Sequence, residues 1–214
     1  VERLCAVVSD HAVRGVELDV CEWGLRFTMD FLLASMFSAR GGSLVSDDTS
    51  VYDDGNPLHD GDGACLSSRL LRRFKLASVE LFSKRLGNPL RKYRFWDPEI
   101  KRALRAMGEL MDIAGEIVER YRETHSERGI EEDPGIMAHL LRTPYPSDKA
   151  LRADVVTFLL AGHDTTAYAV SWTLVELGRN REVFQRLRGE LDAVNPERKA
   201  WTLEMLKHLP YQDC

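Results

Sequence analysis

From about Asp148 to Arg179 the chain reads as one long, otherwise apolar helix of roughly 32 residues, about 48 Å at ~1.5 Å per residue, interrupted in its middle. A helix of that length crosses a whole domain, so the remaining elements have to pack along it. Its middle is chemically out of place. Ala161-Gly162-His163-Asp164-Thr165-Thr166 puts a glycine, an acid and two hydroxyls where a buried helix carries hydrocarbon. A glycine inside a helix gives up about 1 kcal/mol against alanine. A buried threonine hydroxyl has to bond back to a carbonyl three or four residues earlier, here that of Gly162 or Ala161, which loosens the helix locally. Residues retained at such a cost point to a site that handles a small polar ligand and protons.

At about 100° per residue, Phe158, Ala161, Gly162, Thr165 and Ala169 fall within one sector of about 100°. This face is small, with a hydroxyl at its centre, so a flat cofactor or a diatomic molecule could approach the backbone closely. Asp164 lies on the flank of the sector, within reach through a side-chain rotation or a water, and His163 points to the opposite side. The hexapeptide alone leaves a second reading open, in which Thr165 and Thr166 pack between helices and Asp164 caps or pairs elsewhere.

Helical periodicity recurs along the chain and no alternating strand pattern stands out, so the expected fold is mainly α, one domain over residues 1–214 with no linker. Val1 to Val13 and Cys21 to Ser38 read as helices, the second with Trp23, Phe27, Phe31 and Met36 as one buried stripe. From Ser46 to Gly63 the pattern dissolves into Asp, Gly, Ser and Pro. That stretch lacks the spacing and closing glutamate of a calcium loop and reads as a solvated loop. Ala64 to Leu86 resumes as a basic amphipathic helix. Asp97-Pro98-Glu99 supplies an N-cap, a first-turn proline and a favourable acid for a helix running to about His125, with Glu116 and Arg120 paired at i,i+4. That helix stops near Arg128-Gly129. Pro134 to Leu141 forms a short helix, Ser147 caps the long one, Glu182 to Val194 forms a charged helix, and Thr202 caps a final turn.

The balance of 29 basic against 34 acidic residues, net charge -5, offers no nucleic-acid surface. Cys5, Cys21, Cys65 and Cys214 lack zinc-type or disulfide spacing and read as the reduced thiols of an intracellular protein. No histidine pair forms a metal site, and no nucleophile elbow, phosphate loop or dinucleotide fingerprint is present. Val155 to Leu177 is long enough to invite a membrane-span reading, but Asp164 near mid-bilayer would cost about 3 kcal/mol. A helix buried within a domain accounts for it better.

The segment Phe158-Leu159-Leu160-Ala161-Gly162-His163-Asp164-Thr165-Thr166-Ala167 resembles the oxygen-binding helix of the cytochrome P-450 superfamily, whose pattern is Ala/Gly-Gly-x-Asp/Glu-Thr-Thr/Ser. The context strengthens the resemblance. Trp172 and Leu174-Val175-Glu176-Leu177 follow, then Leu187-Arg188-Gly189-Glu190-Leu191 and Leu209-Pro210-Tyr211, in the order and spacing of that family. Upstream, Leu25-Arg26-Phe27-Thr28-Met29-Asp30 resembles an earlier helix of the same fold. Two departures matter. The family's Glu-x-x-Arg and its cysteine haem-ligand loop are absent, and Cys214 does not match that ligand, so the expected object is a partial domain built around the long oxygen-binding helix, lacking the ligand loop and inactive by itself. Ala161 stands where some members esterify haem through a glutamate, so no covalent haem link is expected.

The resemblance implies a haem-thiolate monooxygenase that inserts one atom of O2 into a lipophilic organic substrate and reduces the other to water, with haem b as cofactor and electrons from NADPH through a reductase partner. Thr165 would hydrogen-bond the oxygen species and Asp164 would relay protons. Ala161, Gly162, Thr165 and Thr166 would line the cofactor side, with Phe158 and Ala169 bounding the substrate pocket. His163-Asp164-Thr165-Thr166 leans toward microsomal members acting on fatty acids and other lipophiles, placing the intact protein at the cytosolic face of the endoplasmic reticulum, with any membrane anchor in segments outside this sequence. Two rivals remain. One is a non-oxygenating isomerase or dehydratase of the same family, members of which often lose the acid-alcohol pair; the other is a haem-free helical scaffold descended from the fold.

Overall fold

The structure is a computed structural model that describes residues 2–44, 65–81 and 96–210. Every regular element among the described residues is helical: α1 (Glu2–Arg14), α2 (Val20–Met36), α3 (Leu66–Leu81), α4 (Pro98–Thr124), α5 (Glu127–Glu132), α6 (Ile136–Arg142), α7 (Asp148–Arg179), α8 (Arg181–Val194) and α9 (Leu203–Leu206). The expected loop from Ser46 to Gly63, the end of the Ala64 to Leu86 helix beyond Leu81, and Cys214 lie outside the described residues. The chain divides into two compact units, Val1–Tyr168 and Ala169–Cys214.

Local chemistry sets the helix starts. Asp19 accepts from the N–H groups of Cys21 and Glu22 at 2.9 and 3.0 Å and opens α2. Asp97 accepts from Glu99 N–H at 3.0 Å ahead of Pro98 and opens α4, as the Asp-Pro-Glu sequence implies. Ser147 Oγ accepts from Ala150 N–H at 3.3 Å at the head of α7, whose observed limits coincide with those read from the sequence.

Two expectations fail for physical reasons, and one helix goes beyond the sequence reading. The aromatic stripe of α2 is not its buried face: Leu25, Met29, Leu32 and Leu33 are buried, while Phe31 is 59% exposed and stacks on Phe27 instead. The branched and thioether side chains make the core contact, and Trp23 serves as a platform for Arg26, whose guanidinium lies 5.2 Å from the ring centroid. α4 ends at Thr124, close to the His125 limit read from the sequence, and Ser126, capping the Gly129 N–H at 3.1 Å, opens the additional helix α5. Glu116 pairs with Arg69 of α3 at 3.1 Å rather than along its own helix with Arg120. Tertiary proximity outcompetes a surface i,i+4 pair worth only a few tenths of a kcal/mol.

In the first unit α3 lies along α4, and a shared core draws on α2, α3, α4, α6 and α7. From α7 it takes Leu151, Val155, Leu159, His163 and Ala167, a stripe at every fourth residue. Two polar nodes tie the helices. Arg142 Nη1 donates to the carbonyls of Ile130, Glu131 and Asp133 at 3.0, 2.7 and 3.0 Å, satisfying the end of α5, while Tyr121 donates to the Asp133 carboxylate. The second node is Asp30. Its carboxylate accepts from Ser43 N–H at 3.1 Å, Ser43 Oγ at 2.9 Å, Leu44 N–H at 3.2 Å and the Ser67 hydroxyl, fastening the segment after α2 to both α2 and α3.

In the second unit α8 is charged and amphipathic, and Asn195 closes it by bonding Lys199 through both amide atoms at 2.8 and 2.9 Å. No helix among the described residues is long and apolar enough to cross a membrane.

Asp30→Ala strands two backbone donors and two hydroxyls at once, so it is expected to destabilise the protein by about 2–3 kcal/mol. Asp30→Asn, which keeps an acceptor oxygen, should cost less. Urea unfolding midpoints of the two variants check the order.

Candidate functional site

Helix α7 shows two different faces around its polar interruption. The buried side is occupied by His163, 3% exposed, whose Nδ1 lies 2.7 Å from the Leu159 carbonyl and whose ring sits 5.1 Å from that of Phe74 on α3. The opposite side carries Phe158, at 41% exposure, with Ala161 and Thr165 also exposed; Thr166 is exposed too, but about 100° round the helix from Thr165. Thr165 Oγ1 donates to the Ala161 carbonyl at 2.7 Å, one of the two back-bonds open on sequence grounds. With its one proton so used, the Thr165 hydroxyl presents lone pairs outward as an acceptor. Ala169 opens the second unit and is likewise exposed. The helix stays continuous through all of these positions.

Asp164 is half-buried on the flank, as its helical angle implies. Its charge reaches two neighbours. The Cys21 thiol on α2 is pushed up by burial and then by the carboxylates of Asp19 and Asp164. The Tyr168 phenol is pushed up by burial, then by Cys21 and Asp164. Both groups therefore stay protonated at neutral pH beside the acid, and Cys21 is no candidate thiolate. Cys5 is exposed on α1, and Cys65 lies 3.1 Å from the Ser68 hydroxyl.

Gly162 differs from the role expected of it. It is half-buried, and a Cβ built on it would lie 2.6 Å from Leu32 Cδ1. The space its missing side chain leaves is filled by α2, so the glycine is used for a close helix crossing rather than held open over the ligand face. The helical wheel groups Gly162 with Ala161 and Thr165 at the edge of the sector, and only the neighbouring helix decides which side of that edge it serves. Sequence reasoning also missed what opposes this segment. Thr28, within the motif Leu25 to Asp30, donates to the His163 carbonyl at 3.0 Å.

A cavity of about 810 Å³ lies between α3, α4 and α7, walled by Phe74, Met107, Met111, Val156 and Leu160 with Arg152 at its rim. It contains none of the site residues read from the sequence. Among the described residues no cluster of His, Cys, Asp and Glu is placed to hold a metal ion.

The exposed face suits one side of a flat macrocycle. It is broad and mostly apolar, carries no bulky side chain between Phe158 and Thr165, and has a hydroxyl acceptor and a half-buried acid at its margin.

Comparisons with known proteins identify the family. The family model for cytochrome P-450 matches residues 1–214. Mouse cytochrome P-450 4V2 is 46% identical over 69 residues, 32% of this chain and 13% of its own length. The Arabidopsis thaliana protein LUTEIN DEFICIENT 5, chloroplastic, is 26% identical over 212 residues, covering 98% of this chain and 34% of the relative. The Gibberella moniliformis cytochrome P-450 monooxygenase FUM15 is 26% identical over 186 residues, 86% of this chain and 29% of the relative. The crystal structure of the cytochrome P-450DA heme domain superposes with a TM-score of 0.69 at 21% identity, over 98% of this chain and 41% of that one. The chain thus spans less than half the length of each of these proteins.

Two outcomes follow from the buried side of α7. Gly162→Val should destabilise the protein by about 1–3 kcal/mol through overpacking against Leu32, and adding Leu32→Ala should recover part of that loss, a positive coupling readable in a double-mutant cycle. Burial pushes the His163 imidazole below its ordinary value, against smaller raising effects of the Leu159 carbonyl and Asp164. The unfolded chain then takes up the proton first. Stability contributed by neutral His163 is present above about pH 6.5 and is lost as pH falls below that value. Urea midpoints between pH 7.5 and 5.5 should fall more steeply for the native chain than for His163→Gln.

Proposed function

The chain belongs to the cytochrome P-450 family, and from that membership we propose that the intact protein is a haem-thiolate monooxygenase in which the exposed face of α7 forms the oxygen side of the cofactor pocket. The observation that carries the reading is the Thr165 hydroxyl. Its proton is committed to the Ala161 carbonyl, its lone pairs face the open side, and a half-buried carboxylate adjoins it in sequence. When bound, haem b supplies oxygen activation, with the thiolate ligand pushing electron density toward O–O cleavage.

The residues of this chain do the rest. Ala161 keeps bulk away from the face, so O2 and the reacting carbon of the substrate can lie close to the helix. Thr165 Oγ1, its own proton given to the Ala161 carbonyl, would accept a hydrogen bond from a water at that face and so hold a proton donor on the oxygen side of the pocket. Asp164, by rotating between its buried flank and solvent, carries protons inward. Phe158 bounds the pocket by shape on one side, and Ala169 extends the same helical face beyond the first unit. Thr166, exposed about 100° round the helix from Thr165, contributes a second hydroxyl at the margin. The substrate is a lipophilic small molecule, since the side chains offered to it are apolar. Electrons come from NADPH through a reductase, and the intact enzyme works inside the cell, at the cytosolic face of the endoplasmic reticulum.

In the full-length protein Thr165→Ala should retain haem and substrate binding but divert NADPH into released peroxide. Asp164→Asn should lower product formation by about 10²-fold, the scale of one proton-transfer group. Unchanged product per NADPH in the Thr165 variant would refute the assignment. The absorbance of the reduced, carbon-monoxide-treated protein tests the haem itself, because a haem-free scaffold gives no thiolate band.

A further inference from the structure

We infer that Thr28 on α2 is a positioning residue for the Asp164–Thr165 pair, acting through the peptide group that leads into Asp164; the role in the reaction rests on the function proposed above. Thr28 is 2% exposed, and its Oγ1 lies 3.0 Å from the His163 carbonyl across 135 residues of sequence. The same hydroxyl lies 3.0 Å from the Gly24 carbonyl and 3.2 Å from that of Leu25. One proton serves three acceptors. All three carbonyls lie inside helices, but only that of His163 receives this hydroxyl from outside its own helix.

The His163 carbonyl and the Asp164 N–H belong to one planar amide. Fixing the carbonyl from the side fixes the tilt of that plane, and with it the direction in which the Asp164 and Thr165 side chains leave the helix. The neighbouring contacts leave little freedom at the same level. Leu32, one turn beyond Thr28, fills the space at Gly162, and the His163 ring is seated on Phe74. Residues 162 and 163 are thus held by α2 and α3 on the buried side, while residues 164 and 165 face the acid flank and the open face. A two-residue register error there would exchange a buried imidazole for an exposed hydroxyl.

Thr28→Val keeps shape and branching but removes the hydroxyl, whereas Thr28→Ser keeps the hydroxyl and drops a methyl. A pure packing role would spare the first and harm the second; a positioning role reverses the order. The experiment uses the intact haem-loaded protein with two readouts. Without turnover, backbone hydrogen exchange over residues 160–168 should quicken about five- to tenfold in Thr28→Val, the ratio expected for one lost net hydrogen bond. With turnover, peroxide released per NADPH should rise about threefold, within the range by which coupled residues modulate a distant site. Thr28→Ser should match the native protein in both. Unchanged exchange in Thr28→Val, or equal disturbance by Thr28→Ser, would overturn the inference. If Thr28→Val quickens exchange while Thr165→Ala stays fully coupled, Thr28 holds the peptide but the proposed function fails. If Thr165→Ala uncouples and Thr28→Val changes neither readout, the proposed function stands and the Thr28 assignment falls.

Discussion

The closest constraint in this protein is the crossing of α2 and α7. A leucine methyl occupies the place where any other residue at 162 would carry its Cβ, and a buried threonine hydroxyl one turn away reaches the carbonyl of the next residue. The first contact favours glycine, because any Cβ there would have to displace the Leu32 methyl, and the second uses a hydroxyl. Together they set both the distance and the rotation of the long helix against the core. Everything chemically interesting about α7 follows from that rotation, because it puts His163 inside and Thr165 outside.

The same crossing accounts for the cost of the polar interruption. His163 satisfies one ring nitrogen through the Leu159 carbonyl and gains apolar contact from Phe74, so an imidazole is accommodated in a core of Leu, Met and Ala. Thr165 satisfies its own proton locally through Ala161. Neither group needs the other, which leaves Asp164 between them with one side toward Cys21 and Tyr168 and one toward solvent.

Asp30 and Arg142 show how the bundle is kept in register around that helix. Each gathers several backbone groups from one segment and holds them against another, at places where the chain changes direction.

Periodicity alone determined the helical class, the limits of α7, the caps at Asp97 and Ser147, and the grouping of Phe158, Ala161, Thr165 and Ala169 on one face, because these depend on neighbours three or four residues apart. The motif around Asp164 and Thr165 was likewise legible, since its residue types are unfavourable in a plain buried helix. Only the tertiary structure decided that α2 buries its leucines and Met29 rather than its aromatics, that Glu116 pairs with Arg69, that Ser126 starts an extra helix turn, and that Gly162 serves the crossing and not the open face. Each of those outcomes turns on which distant segment lies opposite. A helical wheel fixes the angle of a side chain about its own axis, but the direction of the core about that axis is set by contacts such as Thr28 to His163, separated by 135 residues.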